Sequence, residues 1–137
     1  MSDRPPPDRG RVRRLAAGLP YTYAAATTDR PLLVFTAGAC PLDSAGTVVG
    51  PGDLVAQAET AMANLGAALE SAGARLDDVV KITVYVASNE RSDLAAAWRV
   101  VHHRFGSHEP PATLLGVSVL GYPGQLFEVE AVAALPG

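Results

Sequence analysis

Two carboxylates, Glu128 and Glu130, are the side chains best placed to do chemistry. They alternate with Phe127 and Val129 in a segment that is otherwise apolar, so both point to one face of a strand. Burying an ionised carboxylate without a partner is costly, so each must pair, take up a proton or lie in a cleft. A carboxylate in a partly dry cleft is a natural general acid or base. The simpler alternative is that both face water or form salt bridges with Lys81 or an arginine.

The histidines and the cysteine give weaker signals. His102 and His103 are adjacent, so their side chains diverge by about 100° on a helix. No acidic residue stands four positions from either one to complete a zinc site, and His108 adds no recognised ligand spacing. We expect no metal and no cofactor, with one histidine packed and one solvated. Cys40 has no evident base beside it, so we expect a small buried hydrophobic residue rather than a nucleophile.

The elements that must position these residues follow from hydrophobic period and turn residues. Strands are predicted at residues 21–27, 32–37, 79–86, 112–119 and 126–135, and helices at residues 54–72 and about 93–105. Asp53 is placed to cap the first helix, and Ser92 or Asn89 the second. Strict alternation in the strand 79–86 would put Val79 and Lys81 on one face, with Val80 on the other.

Composition and charge exclude several classes of protein. The chain has 137 residues, 48% of them hydrophobic, one cysteine and a net charge of −3. This length fits one domain, and we expect a flexible Arg- and Pro-rich tail at residues 1–16 followed by a single domain at 17–137. A mildly acidic chain is a poor candidate for nucleic-acid binding. No apolar run is long enough to cross a membrane, and no signal peptide is evident, so we expect a cytoplasmic protein.

The predicted sheet has more apolar surface than two helices can cover. Two helices shield one face only. The last strand is half apolar on its other face, which Leu126, Val132 and Ala134 share with the two glutamates. A sheet that is apolar on both sides needs a partner. We therefore expect a homo-oligomer whose sheets pack face to face, with pockets where the subunits meet.

Several segments together resemble the Rid family, also named YjgF/YER057c/UK114 and L-PSP endoribonuclease. They are Phe35-Thr36-Ala37-Gly38, residues 79–86 (VVKITVYV), Pro111-Ala112 and residues 127–133 (FEVEAVA). The resemblance covers roughly residues 20–133. It implies an α+β, chorismate-mutase-like fold, a mixed β-sheet with two helices on one face. It also implies a homotrimer with a central β-barrel, and small-molecule sites in the clefts between subunits.

Active members of that family hydrolyse reactive enamines and imines, such as 2-aminoacrylate, to a keto acid and ammonia. The resemblance makes Glu130 the water-activating residue and Tyr21 the tyrosine of the cleft. Thr113 stands where active members have an arginine that binds the substrate carboxylate. Ala37 replaces a serine, and Leu115 replaces a cysteine, so Cys40 is not the equivalent of that cysteine.

Loss of the arginine changes the expected substrate. Two charge-assisted hydrogen bonds are worth roughly 3 kcal/mol or more, about a hundredfold in affinity. We therefore expect a small neutral imine or enamine rather than 2-aminoacrylate. Besides Glu130, the residues expected to bind it are Tyr21, Gly38, Ala39, Thr113, Leu115, Leu120 and Tyr122.

A second hypothesis comes from a different class of function. In it the protein is a non-catalytic trimeric module that binds a metabolite or a protein, and Glu130 is structural. A ribonuclease role is not favoured, because the acidic body lacks a basic stripe interleaved with aromatic residues.

Overall fold

A four-stranded mixed sheet with two helices on one face forms the body of the protein. The computed structural model describes residues 12–15, 24–27 and 31–136. Its strands are β1 (Val12–Leu15), β2 (Ala24–Thr27), β3 (Leu32–Phe35), β4 (Val79–Val86), β5 (Ala112–Gly116) and β6 (Phe127–Leu135), and its α-helices are α1 (Leu54–Ser71) and α2 (Arg91–Phe105). A 3-10 turn, Leu76–Asp78, leads into β4.

The strand order places β6 inside the sheet. The order is β3-β6-β4-β5; β6 runs antiparallel to both of its neighbours, and β4 runs parallel to β5. A parallel pair needs a long crossover, and α2 supplies it here. β1 and β2 form a separate antiparallel pair. At the two glutamates β6 is paired with β4, which places Tyr85 opposite Glu128 and Thr83 opposite Glu130, whereas β3 pairs with residues 132–135.

Helix α1 begins and ends where the sequence predicts. The Asp53 side chain accepts a hydrogen bond from the Ala56 amide at 3.0 Å, which satisfies a free N–H group of the first turn. Gly73 follows the helix with a φ of 80°, a conformation that glycine adopts without strain. The helix buries one stripe in the core: Ala58, Ala61, Met62, Leu65 and Leu69.

The inner face of the sheet, the one that faces the helices, confirms the predicted alternation of β6. Its residues are all buried: Phe127, Val129, Ala131, Ala133 and Leu135. The prediction for the start of β4 is wrong. An irregularity between Val79 and Lys81 resets the register, so Val79 is fully buried opposite Ala133 while Lys81 is exposed. An extra residue of this kind moves the preceding side chain to the other face.

One further expectation stays a prediction and another needs correction. Within the predicted tail at 1–16 the structure describes residues 12–15, as β1, and the division into a tail and a domain at 17–137 stays a prediction. Helix α2 starts at Arg91, and neither Ser92 nor Asn89 caps it. Glu90 precedes the helix, and its side chain makes no capping hydrogen bond. The Ser88 hydroxyl accepts from the Glu90 amide at 3.0 Å and donates to Asp93 at 2.7 Å.

Gln57 connects α1 to the loop that enters β6. Its side chain is fully buried, donates to the carbonyls of Gly50 and Gly124 at 3.2 and 3.0 Å, and accepts from the Leu126 amide at 2.7 Å. The side-chain amide therefore fixes the backbone immediately before the strand that carries both glutamates.

We predict that Gln57→Leu lowers the free energy of unfolding by about 2–3 kcal/mol, because backbone groups near the core lose their partners. Urea denaturation at fixed protein concentration measures this. Glu70→Ala, on the exposed side of the same helix, is the control and should change stability by less than about 0.5 kcal/mol. Equal stability of Gln57→Leu and wild type would contradict the structural role of Gln57.

Candidate functional site

The outer face of the sheet, opposite the helices, carries the candidate site. Across it, Glu130 lies opposite Thr83, and Glu128 lies opposite Tyr85. On the other side of β4, Thr113 lies opposite Thr83. The outer-face residues are Leu33 and Phe35 on β3, Glu128, Glu130, Val132 and the fully buried Ala134 on β6, Lys81, Thr83 and Tyr85 on β4, and Thr113 and Leu115 on β5.

Glu130 is half-buried and is held by a neutral donor. Its Oε1 accepts a hydrogen bond from the Tyr85 hydroxyl. That hydrogen bond, together with burial, raises the pKa of Tyr85 above its ordinary value, so the hydroxyl stays protonated at neutral pH. Glu130 lines a cavity of about 260 Å³ with Phe35, Lys81 and Thr83 among its neighbours. Its second carboxylate oxygen is left as an acceptor for water or a ligand.

Glu128 is the more tightly bound of the two carboxylates. Its Oε1 accepts from the Cys40 thiol at 3.3 Å and from the Gln125 side-chain amide at 3.0 Å. A Cβ on Gly38 would lie 2.0 Å from Glu128 Oε2, so only glycine fits against this carboxylate without displacing it. Gln125 is itself buried and also donates to the Phe127 carbonyl at 3.0 Å. These contacts fit a structural role for Glu128.

Cys40 differs from the expected buried hydrophobic residue. It is half-buried, and its thiol is a hydrogen-bond donor to Glu128. Burial and the adjacent carboxylate raise the pKa of the Cys40 thiol to about 11, because both disfavour the thiolate. This environment keeps the thiol protonated at neutral pH.

The salt-bridge alternative for the two glutamates is not what the structure shows. Within residues 31–136, neither Glu128 nor Glu130 forms an ion pair, and the pairs present there lie elsewhere, Arg75 with Asp77 and Arg104 with Glu59. The Lys81 ammonium instead donates to the Thr113 hydroxyl at 2.9 Å. Among the described residues, both carboxylates thus accept hydrogen bonds from neutral donors, and neither is paired with a cation.

The structure separates the predicted site residues into groups. Glu130 lines the 260 Å³ cavity, whereas Gly38, Ala39 and Tyr122 line a second cavity of about 440 Å³ beside Cys40. Phe35 and Thr36 line both cavities.

The remaining predicted residues fall elsewhere. Thr113 and Leu115 are exposed on the outer face and line neither cavity, and half-buried Leu120 lines neither as well. Tyr21 lies outside the described residues.

The histidines fall into two kinds. His102 and His103 are exposed in the last turn of α2, while His108 is buried, with Nε2 2.7 Å from the Val79 carbonyl oxygen. In the part of the chain that the structure describes, no three His, Cys, Asp or Glu side chains are grouped to hold a metal ion. Over the same ranges, no helix is long and apolar enough to cross a membrane.

Sequence reasoning did not place Phe35, Thr36 or Tyr85 beside Glu130, and it named Lys81 only as a possible ion-pair partner. The alternation of β4 already placed Lys81 and Tyr85 on one face. The missing information was the pairing register with β6, which sets Tyr85 within reach of Glu130 and cannot be read from either strand alone.

Comparison with known proteins identifies the family of the chain. The family model described as endoribonuclease L-PSP matches residues 12–135. A RutC family protein of Pyrococcus abyssi is 35% identical over 114 residues, which are 83% of this chain and 85% of that protein. A protein of Capra hircus named 2-iminobutanoate/2-iminopropanoate deaminase is 32% identical over 114 residues, which are 83% and 79% of the two chains.

Solved structures confirm the predicted α+β fold. The Rid-family protein YyfB of Yersinia pestis, whose function is unknown, superposes with a TM-score of 0.81 at 28% identity, covering 91% of this chain and 99% of that one. RidA from an Antarctic Psychrobacter gives a TM-score of 0.68 at 27% identity, covering 88% and 92%.

We predict that Glu128→Gln makes Cys40 more reactive. Removing the negative charge lowers the thiol pKa from about 11, and below the pKa each unit of decrease raises the thiolate fraction about tenfold. The reaction of this single cysteine with a thiol reagent at pH 8 should become several-fold faster. Glu130→Gln, which removes a carboxylate that Cys40 does not contact, is the control. A rate that stays the same in Glu128→Gln would show that the carboxylate does not protect the thiol.

Proposed function

This chain belongs to the Rid family, and we propose that it hydrolyses small reactive imines or enamines to a carbonyl compound and ammonia. The observation that carries the proposal is the state of Glu130. It is half-buried beside a small cavity on a largely apolar face, and it has a neutral donor but no cation. Such a carboxylate is free to accept a proton from water. The similarity to a protein named as an imine deaminase supports the same reaction class.

The proposed reaction needs one water molecule and one proton-transfer group. Glu130 accepts a proton from water while the water oxygen bonds to the carbon of the C=N group, and Glu130 then gives that proton to the imine nitrogen. In the resulting carbinolamine, Glu130 takes the hydroxyl proton and transfers it to the nitrogen as the C–N bond breaks, which leaves the carbonyl compound and ammonia. An enamine first takes up a proton on carbon and loses one from nitrogen to become the imine. The Tyr85 hydroxyl fixes one carboxylate oxygen, so the other is presented to the water.

We further propose that the outer face is covered by other copies of the chain in a homotrimer. The helices cover the inner face only, and the outer face exposes Leu33, Phe35 and Leu115 with 48%, 72% and 42% of their surface accessible. Exposed apolar surface of this kind is usually an interface. Packing three outer faces together would enclose the cavity of Glu130 in a cleft between subunits and exclude bulk water from it.

We predict that Glu130→Gln lowers kcat for imine hydrolysis by about 10²- to 10⁴-fold, the usual contribution of a general acid–base group. Ammonia release from an imine generated in the assay measures this. Glu128→Gln is the matched control, because it changes the same side chain two residues away on the same face and should retain most activity.

Full activity of Glu130→Gln would contradict the catalytic role. The non-catalytic alternative makes a different prediction: a metabolite would raise the melting temperature of wild type and be recovered chemically unchanged.

We predict that wild type has three times the chain mass of 14.2 kDa in light scattering, and that Phe35→Asp shifts the population to the single-chain mass. The physical reason is the cost of burying an unpaired carboxylate in an apolar interface. Val55→Asp, a 48% exposed position on α1, should leave the assembly intact. A wild-type protein that is monomeric at micromolar concentration would contradict the proposed trimer.

A further inference from the structure

Thr36 carries a hydroxyl group in the Glu130 cavity whose donor capacity is unused. The residue directly follows β3, is half-buried, and lines both the cavity of about 260 Å³ and the second cavity of about 440 Å³. Its Oγ1 accepts from the Ala131 amide at 2.9 Å, and its own amide donates to the Ala131 carbonyl at 3.0 Å. A threonine hydroxyl can also donate one hydrogen bond. Within the described ranges no residue accepts that proton.

The hydrogen bonds to Ala131 place Thr36 beside Glu130. Ala131 follows Glu130 in β6, so its amide nitrogen is about 2.4 Å from the Glu130 Cα across the peptide bond. Because the Thr36 Oγ1 lies 2.9 Å from that nitrogen, it is no more than about 5–6 Å from the Glu130 Cα. Both residues line the same cavity. One small molecule can therefore contact the hydroxyl and also a water molecule held by Glu130.

The other polar donors that line this cavity are directed to protein acceptors. The Lys81 ammonium donates to Thr113, which does not line the cavity. The Thr83 side chain is hydrogen-bonded to Tyr85. The Thr36 oxygen instead accepts from a backbone N–H group, and this makes the hydroxyl a better donor because hydrogen bonds in a chain polarise one another.

We propose that Thr36 is the hydrogen-bond donor that binds the imine nitrogen during hydrolysis. The inference rests on the proposed function and deepens it by naming a second catalytic residue. As the water oxygen bonds to carbon, the electron pair of the C=N bond moves to nitrogen, and Thr36 stabilises the nitrogen by donating a hydrogen bond to it. Thr36 keeps its own proton, so Glu130 remains the group that transfers protons. This contact strengthens in the transition state and therefore acts on kcat more than on KM.

The test compares Thr36→Val, which keeps the shape of the side chain and removes the hydroxyl, with Thr36→Ser, which keeps the hydroxyl. The imines of butan-2-one and of 2-oxobutanoate are generated in the assay by an oxidase from the corresponding amine and amino acid. Thr36→Val should lower kcat by about 10- to 100-fold and change KM by less than about threefold, because a hydrogen bond to a group that gains charge is lost. Thr36→Ser should keep kcat within about threefold of wild type.

Thr47→Val is the matched control. It makes the same change at an exposed threonine in the turn that the Leu42–Val48 bridge closes, and it should leave kcat and KM unchanged. Thr36→Val also removes the acceptor of the Ala131 amide, so its melting temperature is measured alongside, and Thr36→Ala is used if Thr36→Val does not fold. A purely structural role lowers the melting temperature and leaves the kcat of the folded variant at the wild-type value. That result would overturn the donor role while the proposed function stands.

A binding measurement separates failure of this inference from failure of the proposed function. Butan-2-one labelled with carbon-13 at its carbonyl offers a single acceptor and cannot be hydrolysed. In an NMR titration, the carbonyl signal of the bound ketone should lie at lower field with wild type and Thr36→Ser than with Thr36→Val, because an accepted hydrogen bond deshields that carbon. If wild type hydrolyses neither imine, the proposed function is wrong, and this difference still supports Thr36 as the donor. Absent binding to wild type, or equal shifts with wild type and Thr36→Val, would overturn it.

Discussion

The arrangement of the site depends on how two carboxylates are accommodated on the outer face of β6 without a cation. Glu130 accepts from the Tyr85 hydroxyl, and Glu128 accepts from Cys40 and Gln125. Neutral donors reduce the cost of burial without cancelling the negative charge. Glu128 accepts two side-chain hydrogen bonds and Glu130 accepts one, so Glu130 has more capacity to accept a hydrogen bond from water or a ligand. The fold thus provides one structural carboxylate and one that remains free for proton transfer.

Most of the fold could be predicted from the sequence because the signals are local. Helix α1 shows a regular apolar period between the Asp53 cap and Gly73, and the inner face of β6 follows strict alternation. The errors occur where tertiary structure decides. The irregularity after Val79 reverses that side chain through the pairing of β4 with β6, and α2 begins after Glu90 without a capping side chain. Neither feature has a local pattern that distinguishes it from the predicted alternative.

Less of the site could be predicted, because its contacts join residues distant in sequence. Glu130 was identified from its residue type and its apolar strand. Its donor Tyr85 is 45 positions away and is brought to it by the pairing of β4 with β6. The contact between Lys81 and Thr113 likewise depends on the parallel pairing of β4 with β5. For that reason the sequence did not show that the Lys81 ammonium lies beside Thr113.

The central claim is that the outer face of the sheet is enclosed in solution and makes the cleft in which Glu130 acts. Hydroxyl-radical labelling read by mass spectrometry tests this most directly, after correction for the intrinsic reactivity of each residue type. Leu33 and Val55 are each 48% exposed in the single chain, on the outer face and on α1 respectively. We expect Leu33 and Phe35 to be labelled far less than their exposure in the single chain would give, and Val55 to be labelled in proportion to its exposure. Labelling of all three in proportion to their single-chain exposure would contradict it.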